Sequence, residues 1–276
     1  MKKIFFSILV LFIISAGCGK PAKSRGISVL SGNSMITAMV LALDDGVDVI
    51  NLVPPAACPG HFDMKPSDAE KIAGADVFII QPFMSGLAEK VRKINPRIKT
   101  AVIETVDLTI PENYLAALME TEKILAGLNP EKAEFYAENR VKEAQKTAAL
   151  VSGAEEILSE IRQKKPAAIA SRFQAGFAAW AGFEIIDTFG DPDSLTIKNT
   201  EETIKRSKDS GAEYIISNFS GTHGTTAEVF KKALGVKEVV FYNFPDTKHL
   251  GRGFYENFSR NISAAAGALG IEGYGK

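Results

Sequence analysis

The stretch that decides the fold is residues 130–164, PEKAEFYAENRVKEAQKTAALVSGAEEILSEIRQK, a run of helix-forming residues without a strand signal. The preceding Asn129 begins a strong helix start, because Asn is favoured at the N-cap, Pro at the first helical position and an acid in the first turn. Within the run, Gly153 is the weak point. The stretch therefore predicts one rigid helix about 50 Å long.

Short apolar, β-branched runs alternate with helical patterns on both sides of this helix, as expected for parallel strands covered by helices on both faces. Eight runs predict strands, at residues 27–30, 47–53, 77–80, 100–103, 167–170, 183–188, 214–217 and 239–242. Helical patterns occupy residues 66–74, 86–94, 200–210 and 225–234. The predicted fold class is α/β, with two lobes of parallel sheet joined by one long rigid helix.

The first eighteen residues indicate export. A basic start, Met1-Lys2-Lys3, precedes the apolar run Ile4–Ile14 and the small residues Ser15-Ala16-Gly17 before Cys18, which together form a secretory signal. The position of Cys18 resembles the bacterial lipoprotein cleavage box. The apolar run is too short to span a bilayer of about 30 Å. We expect Cys18 to be lipidated and to anchor the protein outside the cytoplasm, in the periplasm or on the outer cell surface.

Five segments follow from these observations: a signal peptide (1–17), a lipidated tether (18–26), an N-terminal α/β lobe (27–111), a helical connector (112–165) and a C-terminal α/β lobe (166–276). Removing residues 1–17 removes two lysines and no acid, so the formal charge changes from −1 to −3. A charge this small excludes the basic field that binds nucleic acid.

Several segments resemble the solute-binding proteins of zinc and manganese ABC importers. They are residues 49–55 (VINLVPP), 61–68 (HFDMKPSD), 74–76 (GAD) and the helix start at 129–139. The resemblance covers the mature chain. It implies a monomeric lipoprotein that binds a divalent transition metal such as Zn²⁺ and delivers it to an ABC permease with its ATPase. No Gly-x-Ser-x-Gly elbow and no paired-carboxylate motif stands out in the sequence, so we do not expect an enzyme.

The same resemblance implies four metal ligands, of which this sequence retains one. His61 matches the first ligand with a one-residue shift. The other three positions fall at Val106, at or beside Arg172, and at Asn243. Val106 has no donor atom, and a guanidinium does not deprotonate to become a ligand.

Other possible donors follow the predicted strands, which is where ligands bind in open α/β sheets. Cys58 and His61 form Cys-Pro-Gly-His, and both side chains bind Zn²⁺. His223 follows strand 214–217, whereas His249, after the last strand, is more typical of a solvated surface. The sequence predicts a metal site formed by Cys58, His61, His223 and Asn243.

Two alternatives stay open. In the first, the same scaffold binds an anionic or metal-chelate ligand, because Arg172 holds anions and amides hydrogen-bond polar groups of either kind. Its predicted ligand-binding residues are Arg172, Gln174, Asn218 and Asp246. In the second, the chain is an adhesion or interaction lipoprotein with a degenerate site.

Substituting Cys18→Ala tests the predicted anchor. We expect the variant to be released or misprocessed, because the acylated side chain is gone, and fractionation with and without detergent measures this. A variant that still needs detergent for release, as the wild type does, would contradict the assignment.

Overall fold

The computed structural model of the protein describes residues 26–55, 57, 62–190, 195–219, 224–246 and 253–272. Its strands are β1 (Ser28–Ser31), β2 (Asp48–Asn51), β3 (Val77–Ile80), β4 (Lys99–Val102), β5 (Ala167–Ser171), β6 (Glu184–Phe189), β7 (Tyr214–Asn218) and β8 (Lys237–Phe241). Its helices are α1 (Ser34–Leu43), α2 (Pro66–Gly74), α3 (Ser85–Ile94), α4 (Pro111–Leu128), α5 (Ala133–Gly153), α6 (Glu155–Lys164), α7 (Ala175–Ala181), α8 (Ile197–Asp209), α9 (Gly224–Leu234) and α10 (Gly253–Leu269).

The strands form two four-stranded parallel sheets with the same plan. The first sheet has the order β2-β1-β3-β4 and the second has the order β6-β5-β7-β8. The α/β class and the two parallel sheets are confirmed. Strands β1 and β3 are buried along their whole length, which explains why their sequences are apolar on both faces.

The helix predicted over residues 130–164 is divided. Pro130–Lys132 is a short 3₁₀ turn, α5 extends from Ala133 to Gly153, and α6 begins at Glu155. After the division, α6 buries Ile157, Leu158 and Ile161 in the core. Across the described ranges, no helix is both long and apolar enough to cross a membrane.

Two predicted helix starts have different outcomes. At α2, the Asp68 carboxylate accepts the Lys65 backbone N–H at 2.9 Å. This hydrogen bond lowers the pKa of Asp68 below its ordinary value. At Asn129, the N-cap position is confirmed, but the Asn side chain makes no capping hydrogen bond, and only the Asn129 carbonyl accepts a hydrogen bond, from the Lys132 N–H.

The helices between the sheets form one layer that both sheets share. A single apolar core contains Val29 and Ile79 of the first sheet together with Ala168 and Ile216 of the second. Gly253, the first residue of α10, lies where the two halves come closest. A Cβ atom there would be 2.8 Å from the Ala38 side chain and 2.7 Å from the Pro245 ring. Glycine is therefore required by the close approach of α10 to α1.

Substituting Gly253→Ala should reduce the free energy of unfolding by about 1–3 kcal/mol, because the added methyl overpacks two rigid side chains. The matched control is Gly267→Ala in the same helix, where a Cβ meets nothing within 4 Å. The control should be neutral or stabilising by about 0.5–1 kcal/mol, since Ala is the better helix former. Urea denaturation measures both. Equal effects of the two substitutions would contradict the role of Gly253 in the close contact.

Candidate functional site

The candidate site lies at the carboxyl ends of the strands, where each sheet has a topological switch point. In the first sheet, β1 lies between β2 and β3, and in the second, β5 lies between β6 and β7. From β1 the chain crosses to β2 on one side, whereas from β3 it crosses to β4 on the other side, and β5 and β7 of the second sheet differ in the same way. Such a change of direction opens a crevice beyond the strand ends. The side chains that follow these strands are therefore the candidates for binding.

In the first lobe, a buried amide pair bridges the switch point. Asn33, after β1, donates its Nδ2 to Oε1 of Gln81, after β3, at 3.1 Å. Gln81 donates its own Nε2 to the Thr105 carbonyl at 3.0 Å. The remaining oxygen of Asn33 caps α1 by accepting the Ile36 N–H at 2.9 Å. The pair thus ties together the loops that follow β1, β3 and β4.

The loop after β4 reaches the second lobe. Glu120 holds it by accepting the backbone N–H of Glu104 at 2.6 Å. Val106, the residue nearest the second ligand position, is exposed. The next residue, Asp107, has a positive φ of 52°. A Cβ on Gly176 of α7 would lie 2.7 Å from the Asp107 carboxylate oxygen, so a side chain there would displace the carboxylate from this position.

Desolvation at this inter-lobe position raises the pKa of Asp107 above its ordinary value. Asp107 is thus an exposed carboxylate beside α7 that was missed in the sequence. Its position directly after Val106, at the second predicted ligand position, could have identified Asp107 as a candidate. The positive φ that directs Asp107 towards the second lobe was not visible in the sequence.

In the second lobe, the structure brings together two of the predicted ligand-binding residues. Gln174, after β5, is fully buried and donates its Nε2 to Oδ1 of Asn218, at the end of β7, at 2.6 Å. Arg172 is exposed, and its guanidinium lies 5.1 Å from the centre of the Phe173 ring. The second sheet therefore presents a cation, aromatic surface and amides at its carboxyl end.

The last strand ends in a rigid turn that precedes Asn243. Asn261 of α10 is fully buried and makes two hydrogen bonds to the Tyr242 backbone, accepting its N–H at 2.8 Å and donating to its carbonyl at 3.1 Å. The Tyr242 ring stacks on Phe219 with the ring centres 4.5 Å apart. Asn243 and Asp246 follow this turn and are both half-buried. The clamp by Asn261 thus fixes the backbone that carries the fourth predicted metal ligand.

The strongest predicted donors cannot be placed. Cys58, His61, His223, His249 and the lipidation residue Cys18 lie outside the described residues. In the part of the chain that the structure describes, no group of three or more His, Cys, Asp or Glu side chains could hold a metal ion.

Comparison with known families and proteins gives a match over most of the chain. The model of a family described as the periplasmic component A of the zinc-uptake complex matches residues 29–268. An iron ABC transporter substrate-binding lipoprotein, MtsA of Streptococcus pyogenes, is 28% identical over 149 residues, covering 50% of this chain and 47% of MtsA. A putative metal-binding protein of Thermotoga maritima is 27% identical over 165 residues, 58% of each chain. The chain thus spans about half the length of the curated relatives it matches.

Solved structures share the fold. The periplasmic zinc-binding protein TroA of Treponema pallidum superposes with a TM-score of 0.75 at 14% identity, covering 89% of this chain and 99% of TroA. The binding protein FpvC of Pseudomonas aeruginosa, in complex with Ni²⁺, gives a TM-score of 0.74 at 18% identity, covering 91% of this chain and 100% of FpvC. At these identities the likeness establishes the fold alone.

Substituting Asn261→Ala should reduce the free energy of unfolding by about 2–3 kcal/mol, because the buried N–H and carbonyl of Tyr242 both lose a partner. The matched control is Asn257→Ala, one turn earlier in α10. The amide of Asn257 donates to the Tyr242 carbonyl alone, at 3.4 Å. We expect the control to cost about 1 kcal/mol. Urea denaturation decides, and an equal or larger loss in the control would show that Asn261 is not the main clamp.

Proposed function

Because this chain belongs to the zinc-uptake complex component A family, we propose that it captures a divalent transition metal outside the cytoplasm and delivers it to the permease of an ABC importer. The observation that carries the proposal is the family match over residues 29–268, which includes both sheets and the helices between them. Similar proteins are described as binding zinc, nickel or manganese, which supports a divalent metal as the transported solute.

We propose Cys58, His61, His223 and Asn243 as the metal ligands. Both lobes contribute, since Cys58 and His61 follow β2, whereas His223 follows β7 and Asn243 follows β8. A thiolate with two imidazoles suits Zn²⁺, which is bound in proteins mainly by sulfur and nitrogen. The carboxyl ends of parallel strands lie at the same edge of a sheet, which supports the convergence of these loops.

The observation that favours a second candidate is the chemistry of the second lobe. Its described edge offers Arg172, Gln174 and Asn218, and Asp246 follows the last strand. A guanidinium close to a bare dication would repel it by several kcal/mol in a dry crevice. The same guanidinium would attract a metal bound within an anionic chelate. The second candidate is therefore the same scaffold holding an anionic or metal-chelate ligand.

The remaining assignments belong to the same proposal. We place the N-terminal lobe at residues 27–111, the connector at 112–165 and the C-terminal lobe at 166–276. Cys18 anchors the mature chain through a lipid, and residues 18–26 form the tether. The protein works as a monomer with an ABC permease and its ATPase. Its role is binding and delivery, so no catalytic residue is assigned.

Calorimetric titration with Zn²⁺ distinguishes the two candidates. If Cys58 and His61 bind the metal, uptake releases protons and weakens as the pH falls, because the thiol must be deprotonated. Cys58→Ser and His61→Ala should then each reduce the affinity by at least about 10-fold. Arg172→Ala should leave the affinity unchanged or raise it, since a nearby positive charge is removed.

The matched control for Arg172 is Arg97→Ala, an exposed arginine before β4 in the other lobe, which should have no effect. If the ligand is an anionic chelate, Arg172→Ala abolishes its binding and Cys58→Ser matters little. Tight Zn²⁺ binding that survives in both Cys58→Ser and His61→Ala would falsify the proposed metal ligands.

A further inference from the structure

The two lobes carry corresponding amide pairs at their switch points. The sheets have the same strand order, so β1 corresponds to β5 and β3 corresponds to β7. Asn33 follows β1 and its partner Gln81 follows β3, while Gln174 follows β5 and its partner Asn218 ends β7. All four side chains are at least nine-tenths buried. A buried hydrogen bond between an Asn and a Gln thus links the ends of β1 and β3 in the first sheet and the ends of β5 and β7 in the second.

The two pairs differ in how completely their polar atoms are used. In the first lobe, both oxygens accept hydrogen bonds, and each amide nitrogen donates one. In the second lobe, the Gln174 Nε2 donates to Asn218, but the Gln174 Oε1 is buried without a hydrogen-bond partner among the described residues. Leaving a buried acceptor unused costs about 1–3 kcal/mol. The unused oxygen therefore marks a group that a ligand can satisfy.

A second unused atom lies in the same part of the lobe. Thr226, in the first turn of α9, is buried, and its Oγ1 also has no partner among the described residues. Because α9 follows β7, this turn begins at the carboxyl end of the strand that ends in Asn218. Each of these two oxygens, which follow neighbouring strands of one sheet, can accept a hydrogen bond or contribute one ligand to a cation.

We propose that the Gln174 amide oxygen is part of the solute site and contributes an oxygen to the captured divalent cation, directly or through a water bound to that cation. The inference rests on the proposed function. An amide oxygen is a hard ligand, which Mn²⁺ prefers more than Zn²⁺ does. Gln174 therefore shifts the selectivity of the site towards the harder ion.

The test compares Mn²⁺ and Zn²⁺ titrations of the full mature chain and its variants. Gln174→Met keeps the length of the side chain and removes its oxygen. We expect this variant to lose about 10–100-fold in Mn²⁺ affinity and less in Zn²⁺ affinity. Gln174→Glu retains the oxygen and adds a charge, and Asn218 can rotate its amide to donate to it. We expect Gln174→Glu to bind both ions at least about 10-fold more tightly than the wild type.

The matched control is Gln81→Met in the first lobe, where the amide is already fully used by Asn33 and Thr105. It should lower the unfolding temperature and leave the ratio of Mn²⁺ to Zn²⁺ affinity unchanged. If Gln174→Met does not fold, as judged by circular dichroism, Gln174→Glu decides alone, and unchanged or weaker binding in that variant rejects the proposal.

Wild-type affinities for both ions in a folded Gln174→Met variant would also overturn the assignment, since the oxygen would then serve only the fold. A wild-type protein that binds neither ion would overturn the proposed function and this assignment with it. Failure of the Gln174 assignment appears only in the variants, whereas failure of the proposed function appears already in the wild type, so the two are distinguishable.

Discussion

The burial of one helical layer against both sheets is the constraint on which the rest of the structure depends. Helices α1, α4, α6 and α10 contribute to a single apolar core that also includes strands of each sheet. Opening the lobes widely would return part of this core to water, at a cost of about 25 cal/mol for each Å² of apolar surface. The two sheets therefore stay close together, and the crevice between their strand ends is a fixed feature of the fold.

A buried aromatic contact and a buried hydrogen bond align the helices of this layer. Tyr114 of α4 stacks on Phe254 of α10 with the ring centres 4.0 Å apart, and its hydroxyl donates to the Glu143 carboxylate of α5 at 2.9 Å. Burial, together with the nearby Glu143 charge, raises the pKa of Tyr114 well above its ordinary value, so the phenol stays a donor at physiological pH. Since a buried carboxylate needs such donors, α4 and α5 cannot slide past each other without breaking the hydrogen bond between Tyr114 and Glu143.

The architecture could be predicted from the sequence because its strands are buried on both faces. Every predicted strand end lies within two residues of the observed one, since an apolar run bounded by turn residues is a local signal. The sequence marks Gly153 as the weak point of the predicted helix, and α5 ends there, but the division into two helices was not predicted. Ala154 is an excellent helix former by propensity, and only the burial of Ile157 and Leu158 in the core explains why the helix turns there.

The candidate site was less predictable because its contacts join distant parts of the chain. Gln174 and Asn218 were both proposed from the sequence as ligand-binding residues, but their hydrogen bond depends on β5 and β7 being neighbours. Asn33 and Gln81 were missed, although Asn33 lies two residues after the end of β1 and Gln81 directly follows β3. Position after a strand identifies candidates, whereas strand order decides which of them meet.

Local chemistry, and not the overall charge, must govern the proposed capture of a solute. The full sequence carries a formal charge of only −1, too little to concentrate cations strongly around the protein. In the proposed ligand set, the thiolate and one imidazole come from a single loop after β2, whereas the second lobe supplies His223 and weaker amide oxygens. The affinity of the metal would then be set mainly by the first lobe. Release towards a permease would begin in the second lobe, where amide contacts break more easily than a thiolate bond.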